Sequence, residues 1–284
     1  MPAKIDLAVK IGSMALIRRE DNDIDYNLFS RLGGELRPGM ALISSGATEI
    51  GRLDYMKRTG RELTGDPEDN KTDYAAQGQA ILMETWRRFI APEYQVRQVL
   101  VEHNHFNDRQ KRAHLKGLLM RCAEQNAIPV INYNDAVSDE ENRKLELRLL
   151  HRDHPDEQLV ECVDNDETAA VVSDLIGVKT LVLLTSADGI YLDANDPGTL
   201  VRDVTADSAE ALTGQVRELM THCVGASRAG ANGAGAKLNY ALRSALKGVT
   251  VIIGSAKKYR LKELLSGGAP CTRIMLKGAG GVIS

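Results

Sequence analysis

Two short clusters of amide and carboxylate side chains give the strongest chemical signal in this chain of 284 residues. The run 132–135 reads Asn-Tyr-Asn-Asp and directly follows the apolar run 128–131, whereas the run 164–166 reads Asp-Asn-Asp and opens a stretch with helical spacing. A buried strand that ends in Asn and Asp places hydrogen-bonding groups where a parallel sheet usually binds its ligand. The second cluster supplies a candidate helix N-cap. Surface turns use the same residue types, so the residues at the other strand ends are needed to distinguish a ligand site from ordinary turns.

Two further strand ends predict an anion-binding site. Lys10 closes the first apolar run, and a lysine is costly to bury without an anionic partner. Gly12 and Ser13 follow it, and a glycine backbone can approach a phosphate closely. Another apolar run ends in Ser45 and Gly46, whose N–H groups at the start of a predicted helix form an anion cradle. Similar turns also occur in α/β proteins without any function.

A glycine-rich loop late in the chain carries a second lysine. Residues 230–237 read Gly-Ala-Asn-Gly-Ala-Gly-Ala-Lys and lead into a predicted helix. A P-loop requires Gly-Lys followed by Ser or Thr, but Ala236 precedes Lys237 and Leu238 follows it. A dinucleotide-binding fingerprint follows the first strand of its unit, and this loop lies too late. We interpret the segment as a flexible loop that closes a cation over phosphates.

The elements that must position these residues alternate between apolar runs and helical patterns. Helices are predicted at residues 74–90, 108–124, from 166, 237–247 and 261–265, and strands at residues 5–9, 40–43, 96–101, 128–131, 180–184, 249–253 and, as an edge strand, 271–276. This alternation predicts a three-layer α/β/α sandwich with a mostly parallel central sheet. We expect residues 1–284 to form a single domain. Residues 59–72 are predicted to form an exposed loop, and the charge-rich segment 138–161 a solvated excursion or a lid.

Composition argues against several classes of protein. A net charge of −3 and an aromatic content of 4% give no reason to expect nucleic acid as a partner. No apolar run approaches the roughly 20 residues that span a bilayer, so no membrane is expected. The chain start lacks a signal-peptide pattern and the four cysteines form no CxxC pair, which predicts a cytoplasmic protein with reduced thiols. The histidine-containing run 103–105 and His114 lack metal-ligand spacing, so we expect no metal bound by protein side chains.

In order along the chain, these segments resemble the amino-acid kinase superfamily and, within it, most closely the glutamate 5-kinase family. The lysine and glycine motifs belong to the wider superfamily, and the asparagine-rich elements are more specific to the glutamate-kinase branch. The chain stops at Ser284, so the resemblance implies a form without the C-terminal RNA-modification-type domain of many members. The matching segments cover nearly the whole chain: residues 9–13, 44–47, 77–79, 108–109, 129–137, 164–166, 183–185 and 233–237.

The resemblance implies ATP-dependent phosphorylation of the side-chain carboxylate of L-glutamate, giving γ-glutamyl phosphate, the first step of proline biosynthesis. In-line transfer needs positive charge on both sides of the moving phosphoryl group. By this resemblance Lys10 neutralises that group, Lys237 holds the ATP phosphates, Asp166 orients both lysines, and Mg²⁺ arrives bound to ATP. The other nucleotide contacts implied are Gly12, Ser13, Thr185, Ser186, Gly233 and Gly235. The acceptor contacts implied are Ser45, Gly46, Asn134, Asp135 and Asn165, with Asp135 suited to an ammonium group.

The resemblance also implies an acceptor-binding lobe at about residues 1–160, a nucleotide-binding lobe at about residues 161–284, and a homodimer or homotetramer. Four departures from the family pattern leave the acceptor open. Ser186 stands where Asp is usual, Tyr133 where Glu is common and residues 231–232 where Thr-Gly is usual, and the segment 138–161 is longer than expected. Two alternatives remain: a related kinase acting on acetylglutamate, aspartate, carbamate or UMP, and a non-catalytic ligand sensor.

Overall fold

The structure is a computed structural model that describes residues 4–18, 20–138, 140–153, 155, 159–162, 164–193, 195–222 and 234–278. The strands are β1 (Leu7–Ile11), β2 (Ile17–Arg18), β3 (Asp23–Ile24), β4 (Met40–Ser44), β5 (Gln95–Val101), β6 (Ala127–Tyr133), β7 (Thr180–Thr185), β8 (Ile190–Tyr191), β9 (Leu200–Val201), β10 (Asp203–Ala206), β11 (Thr250–Ser255) and β12 (Cys271–Leu276). The α-helices are α1 (Tyr26–Gly33), α2 (Ala47–Thr59), α3 (Pro67–Phe89), α4 (Asn104–Asn107), α5 (Arg109–Glu124), α6 (Glu140–Asp153), α7 (Asn165–Ile176), α8 (Ala209–His222), α9 (Ala234–Leu246) and α10 (Leu261–Ser266).

One eight-stranded sheet organises the described part of the chain, with the strand order β10-β12-β11-β7-β1-β4-β6-β5. The strands from β11 to β5 in that order are parallel, whereas β12 pairs antiparallel with β11 and β10 runs parallel to β12. The central strand β1 is buried along its whole length, as expected for a strand covered on both faces. The predicted mostly parallel sheet is therefore confirmed.

Two hydrophobic clusters cover the two faces of this sheet. One cluster contains buried side chains of α5, α7, α8 and α9, and the other contains those of α1, α2, α3 and α10. Successive side chains of β1 point to opposite faces: Ala8 belongs to the first cluster, and Val9 and Ile11 to the second. This confirms the three-layer sandwich, and the same alternation directs Lys10 to the face that α7 covers.

Two glycines set the close crossing of α2 and α3. A Cβ atom on Gly78 would lie 1.8 Å from the carbonyl oxygen of Ala47, and one on Gly51 would lie 1.8 Å from that of Tyr74. Backbone therefore packs directly on backbone at this crossing. Gly78 weakens α3 as an isolated helix, but here it permits contact between two helices.

Three differences from the predicted elements have local causes. Helix α3 begins at Pro67, so the predicted loop 59–72 is wrong from that residue onward: Pro67 lies at the first helical position, and the Asp66 carboxylate accepts hydrogen bonds from the next two free N–H groups. Strand β12 forms where predicted, but the sheet continues beyond it to β10, so it is not the edge strand. Strand β10 is only four residues long and is separated by Arg202 alone from the two-residue strand β9, so neither strand is long enough to show a clear pattern in the sequence.

The segment predicted as an excursion contains α6, which buries none of its residues. Leu145 and Leu149 lie one turn apart on this helix and are 53% and 42% exposed. Contacts with the described residues include one between His103 Nε2 and a Glu146 carboxylate oxygen, at 2.7 Å, and a hydrogen bond that Arg143 donates to the carbonyl oxygen of Cys162. None of the described helices combines the length and apolar character that a bilayer crossing requires.

Candidate active site

Polar residues meet at the carboxyl edge of four neighbouring strands. β1 ends beside Lys10 and Gly12, β4 runs into Ser45, β6 runs into Asp135, and β7 ends at Thr185. Because these strands are parallel and adjacent in the sheet, their ends lie side by side. A doubly wound sheet binds its ligand in such a crevice.

Two lysines converge on one carboxylate at this edge. Lys10 Nζ lies 2.6 Å from Asp166 Oδ1, and Lys237 Nζ donates to Asp166 Oδ2 at 2.5 Å. Lys10 comes from the centre of the sheet, Asp166 from the first turn of α7 and Lys237 from the first turn of α9. Lys10 and Asp166 are each only 7% exposed. The three residues predicted to act on phosphate therefore lie together, with one carboxylate between two ammonium groups.

Burial and charge oppose one another within this triad. Burial alone would raise the pKa of Asp166, but the charges and hydrogen bonds of Lys10 and Lys237 outweigh it and lower that pKa to about 2. Burial lowers the pKa of Lys10, although the Asp166 carboxylate acts against this effect. A buried triad of two cations and one anion carries excess positive charge, which a phosphate group can neutralise.

The start of α7 fixes the position of Asp166. The Asp164 carboxylate accepts hydrogen bonds from the backbone N–H groups of Asp166 and Glu167, both at 2.9 Å, as predicted for an N-cap. Residues 167–170 are buried on the same helix, so α7 is packed from its first turn. The cap and the packing together hold the Asp166 side chain towards the end of β1.

Two glycine turns leave room beside the Lys10 ammonium group. A Cβ atom on Gly12 would lie 3.7 Å from Lys10 Nζ, so the missing side chain opens space next to the charge. Gly46 is the N-cap of α2 with φ 111°, a backbone conformation that favours glycine, and a Cβ atom there would lie 3.8 Å from Ser13 Cα. Ser45 N donates to the carbonyl oxygen of Ile11. The two predicted anion-binding turns are therefore adjacent.

A network of amide side chains links β6 to α7 and α3, next to residues that were predicted to contact the acceptor. Asn165 Nδ2 donates to Asn132 Oδ1 at 3.0 Å, and Asn132 Nδ2 donates to Gln79 Oε1 at 2.8 Å. Asn165 Oδ1 also accepts from the backbone N–H of Tyr133. The Asn165 side chain, predicted to contact substrate, is thus already engaged with the protein. Asn132 belongs to the polar run 132–135 and Gln79 to the family-matching segment 77–79, but neither had been assigned a contact with substrate or nucleotide.

Asp135 and Asn134 follow this network at the end of β6. Asp135 has no hydrogen-bond or ion-pair partner among the described residues, and burial raises the pKa of its carboxyl group, with Lys71 and Arg143 acting against this. Asn134 Nδ2 donates to Glu102 Oε1 at 2.8 Å. Asp135 therefore offers an unpaired carboxylate to a ligand, whereas the Asn134 amide nitrogen is held by Glu102.

Arg143 connects α6 to the same region. It donates to the carbonyl oxygen of Cys162 at 3.2 Å, and its charge opposes the effect of burial on the pKa values of Tyr133 and Asp135. The Tyr133 hydroxyl group also pairs with that of Ser138. Nothing in the local sequence distinguished Arg143 from the other charged residues of α6, so only the structure identifies it.

Thr185 and Ser186, which were predicted to contact the nucleotide, lie at the end of β7. Thr185 Oγ1 accepts from the Ala187 N–H at 3.0 Å and closes a turn around Ser186, which is exposed. Beyond this turn, Lys258 donates to Asp188 Oδ2 at 2.8 Å, a cation that was missed in the sequence. Gly235 lies in the first turn of α9, and the predicted contact Gly233 lies outside the described residues. Within the described ranges, no group of three or more His, Cys, Asp or Glu side chains is arranged to hold a metal ion.

Comparison with known proteins adds relatives to this geometry. A family model described as the amino acid kinase family matches residues 7–255. A glutamate 5-kinase of Frankia casuarinae is 31% identical over 88% of this chain and 62% of its own length. A glutamate 5-kinase of Paraburkholderia xenovorans is 29% identical over 96% of this chain and 68% of its own length. The chain is therefore similar to glutamate 5-kinases but spans only about two thirds of them.

A solved structure supports the fold independently. A carbamate kinase from Giardia lamblia bound to AMP-PNP superimposes with a TM-score of 0.61, covering 98% of this chain and 100% of that chain. The two sequences are 12% identical, so this likeness concerns the arrangement of helices and strands alone.

Proposed function

The chain belongs to the amino acid kinase family, and from this membership we propose that it transfers the terminal phosphoryl group of ATP to the side-chain carboxylate of L-glutamate. The product is γ-glutamyl phosphate, an acyl phosphate, together with ADP. Similarity to glutamate 5-kinases from two organisms supports glutamate as the acceptor. The observation that carries the proposal is the buried contact of Lys10 and Lys237 with the single carboxylate of Asp166.

This contact suits phosphoryl transfer because the reaction depends on positioning and on charge. In the transition state, negative charge spreads over the oxygens of the moving group and over the leaving oxygen of ADP. Two ammonium groups held by one buried carboxylate are pre-oriented, so they lose little freedom when the phosphates arrive. Lys10 then contacts the transferred group and Lys237 the leaving side. ATP brings Mg²⁺, which neutralises further phosphate charge.

The acceptor is proposed to bind on the β4 and β6 side of Lys10. The unpaired Asp135 carboxylate suits the α-ammonium group of an amino acid, and the backbone N–H groups at the start of α2, after Gly46, suit a carboxylate oxygen. The hydrogen bond between Asn165 and Asn132 holds the end of β6 against α7. It thereby fixes the position of Asp135 relative to the two lysines. One γ-carboxylate oxygen attacks phosphorus as the bond to the ADP oxygen breaks.

The test is trapping of the acyl phosphate with hydroxylamine. The purified chain is incubated with Mg·ATP, hydroxylamine and one acceptor at a time: glutamate, N-acetylglutamate, aspartate, carbamate or UMP. Glutamate should give hydroxamate and ADP in equal amounts, because the acyl phosphate reacts with hydroxylamine. A different preferred acceptor, or nucleotide binding without turnover on any of them, contradicts the proposal.

Lysine variants separate catalysis from binding. Lys10→Ala and Lys237→Ala should each lower kcat by about 100-fold or more, since each removes charge stabilisation from the transition state. Lys247→Ala is the control, because Lys247 directly follows α9, the helix that carries Lys237, but pairs with Asp174 on the surface. A fully active Lys10→Ala enzyme would exclude the assigned role.

Three further expectations belong to the same proposal. The acceptor half is taken as residues 1–160 and the nucleotide half as residues 161–284, within one domain. We propose that the enzyme acts in the cytoplasm, where ATP and glutamate are available, and as a homodimer or homotetramer. Sedimentation of the purified chain tests the last point directly.

A further inference from the structure

A cleft lies at the edge of the sheet where the parallel strands begin, opposite to the edge that carries the candidate catalytic residues. It encloses about 1050 Å³ and reaches the first residues of β4, β7 and β11, which are Met40, Thr180 and Thr250. The candidate catalytic residues lie at the other ends of β1, β4 and β7. Five residues of strand separate the two edges by about 16 Å, so one small molecule cannot occupy both places.

Cationic side chains from three separate elements line this cleft. Arg37 precedes β4, Arg260 and Lys262 belong to the start of α10, and Arg273 lies on β12. Among the described residues, none of these four side chains forms an ion pair with a carboxylate. Unpaired cations that converge on one concave surface attract anions, because the walls exclude part of the screening water.

Two carboxylates, Glu35 and Glu93, line the cleft beside the four cations and offset their charge only in part. Glu35 accepts hydrogen bonds from the backbone N–H groups of Leu261 and Lys262, at 3.0 and 3.2 Å, so its carboxylate is held at the start of α10 and forms no ion pair with the four cations. Asp203 lies in register with Arg273 on the neighbouring strand but forms no ion pair with it. The cleft therefore keeps an excess of positive charge.

We propose that this cleft is a second ligand site, which binds a small anion carrying three or more negative charges. Its volume is at the upper end of the range for small-molecule pockets. Apolar side chains, among them Leu36, Ile252 and Leu265, form part of its floor and accommodate the uncharged part of a ligand. Phosphate and carboxylate groups share the chemistry that four such cations recognise.

The two methionines of the cleft make the proposal directly measurable. Met40 and Met275 line it, whereas Met14 directly follows Ser13 at the catalytic edge. Methyl NMR of chain labelled at the methionine methyl groups therefore reports each site separately. Inorganic tripolyphosphate and the tricarboxylate tricarballylate are titrated in parallel, so that phosphate and carboxylate ligands are distinguished. At least one of them should shift the Met40 and Met275 signals saturably below about 5 mM.

Variants connect the signal to the cations. Arg260→Gln combined with Arg273→Gln should weaken that binding about tenfold or more, while any Met14 shift keeps its midpoint. Arg37→Gln, in a loop, is a milder second variant that should weaken binding in the same direction. Arg217→Ala, on the exposed face of α8, is the control and should change nothing.

Several results would overturn the proposal. The proposal is wrong if neither anion shifts the Met40 or Met275 signals below about 5 mM. It is also wrong if the shifts persist with unchanged affinity in the folded double variant. A single-stranded oligonucleotide that shifts these methyl groups when both small anions fail would indicate a nucleic-acid surface instead. None of these readouts depends on turnover, so the site can fail while the proposed kinase activity stands, and the reverse also holds.

Discussion

Asp166 is the residue on which the candidate site depends most. It lies between two ammonium groups in a buried setting, and removal of its charge leaves those groups facing each other. Asp174, on the same helix, also pairs with a lysine, but both partners of that pair are partly exposed. The two aspartates offer the same interaction in two environments, which makes a matched comparison possible.

Asp166→Asn should abolish phosphoryl transfer and destabilise the protein by about 3 kcal/mol, because a buried ion pair loses one partner. Asp174→Asn should cost less than about 1 kcal/mol, since exposed pairs contribute little. Urea unfolding of both variants measures the difference. Equal losses of stability would show that the Asp166 contacts are not set in a buried environment.

The lowered pKa of the Asp166 carboxyl group predicts that wild type and Asp166→Asn respond differently to acid. Its pKa in the folded protein is about 2, below the ordinary value of 3.8. A group with a lowered pKa stabilises the folded state above its ordinary pKa and loses that contribution as the pH falls to the folded value. The folded state should therefore lose about 2 kcal/mol between pH 4 and pH 2 through this group.

Unfolding free energies of wild type and Asp166→Asn across this range provide the measurement. Other carboxylates with lowered pKa values, such as Asp23 and Asp54, are present in both proteins and cancel in the difference. The difference in stability should shrink as the pH falls. A constant difference would mean that the pKa of Asp166 is not lowered by folding.

The crossing of α2 and α3 makes a prediction for packing. Gly78→Ala should destabilise the protein by about 3 kcal/mol or more, because the added methyl group would overlap the Ala47 carbonyl oxygen. Gly214→Ala, in the interior of α8 with open space around it, should instead stabilise by about 1 kcal/mol. Thermal unfolding of both variants gives the signs. Similar effects of the two substitutions would contradict the close crossing.

Helix α6 makes a prediction for the acceptor. Arg143→Ala should raise the KM for glutamate about tenfold while leaving the KM for ATP unchanged, since the charge of Arg143 acts on both Tyr133 and Asp135 at the end of β6. Arg148→Ala, at an exposed position of the same helix, is the control. A change in the KM for ATP without a change in the KM for glutamate would show that α6 affects the nucleotide and not the acceptor.

The sequence was sufficient for the strand ends but not for the contacts between distant elements. Lys10, Gly12, Ser45 and Asp166 could be found because each stands at a boundary between an apolar run and polar chain. Gln79 lies in the family-matching segment 77–79, but its hydrogen bond with Asn132 could not be predicted, because it depends on the packing of α3 against the rest of the fold, where Gly78 permits the close crossing with α2.

Short elements were the other weakness of the sequence-based prediction. Strand β10 and the start of α3 depend on pairing with remote chain and on a capping side chain, neither of which produces hydrophobic periodicity. The alternating long elements that build the sheet have such periodicity, so the α/β/α architecture was predictable.

The continuous sheet predicts how the complete chain unfolds. Strand β1 pairs with β4 on one side and β7 on the other, and each core cluster contains residues from both halves of the sequence. The two halves should therefore unfold together as one cooperative unit. Trp86, the single tryptophan, is fully buried in the first half and reports its unfolding.

Urea curves followed by Trp86 fluorescence and by far-ultraviolet circular dichroism should have the same midpoint. Mg·AMP-PNP should shift both curves equally, because a ligand bound to one half stabilises the whole unit. A fluorescence midpoint that stays fixed while the dichroism midpoint moves would divide the chain into two independent domains.

The position of β1 in the middle of the sheet has a use in protein engineering. Most residues proposed to hold the acceptor follow β4 and β6, and those proposed to hold the nucleotide come from the ends of β1 and β7 and from α9. A chimaera could replace the chain from β4 to β6 with that of a relative of different specificity while keeping the donor half unchanged. Such hybrids would allow new carboxylic acids to be activated for chemical synthesis without redesign of the phosphate-handling lysines.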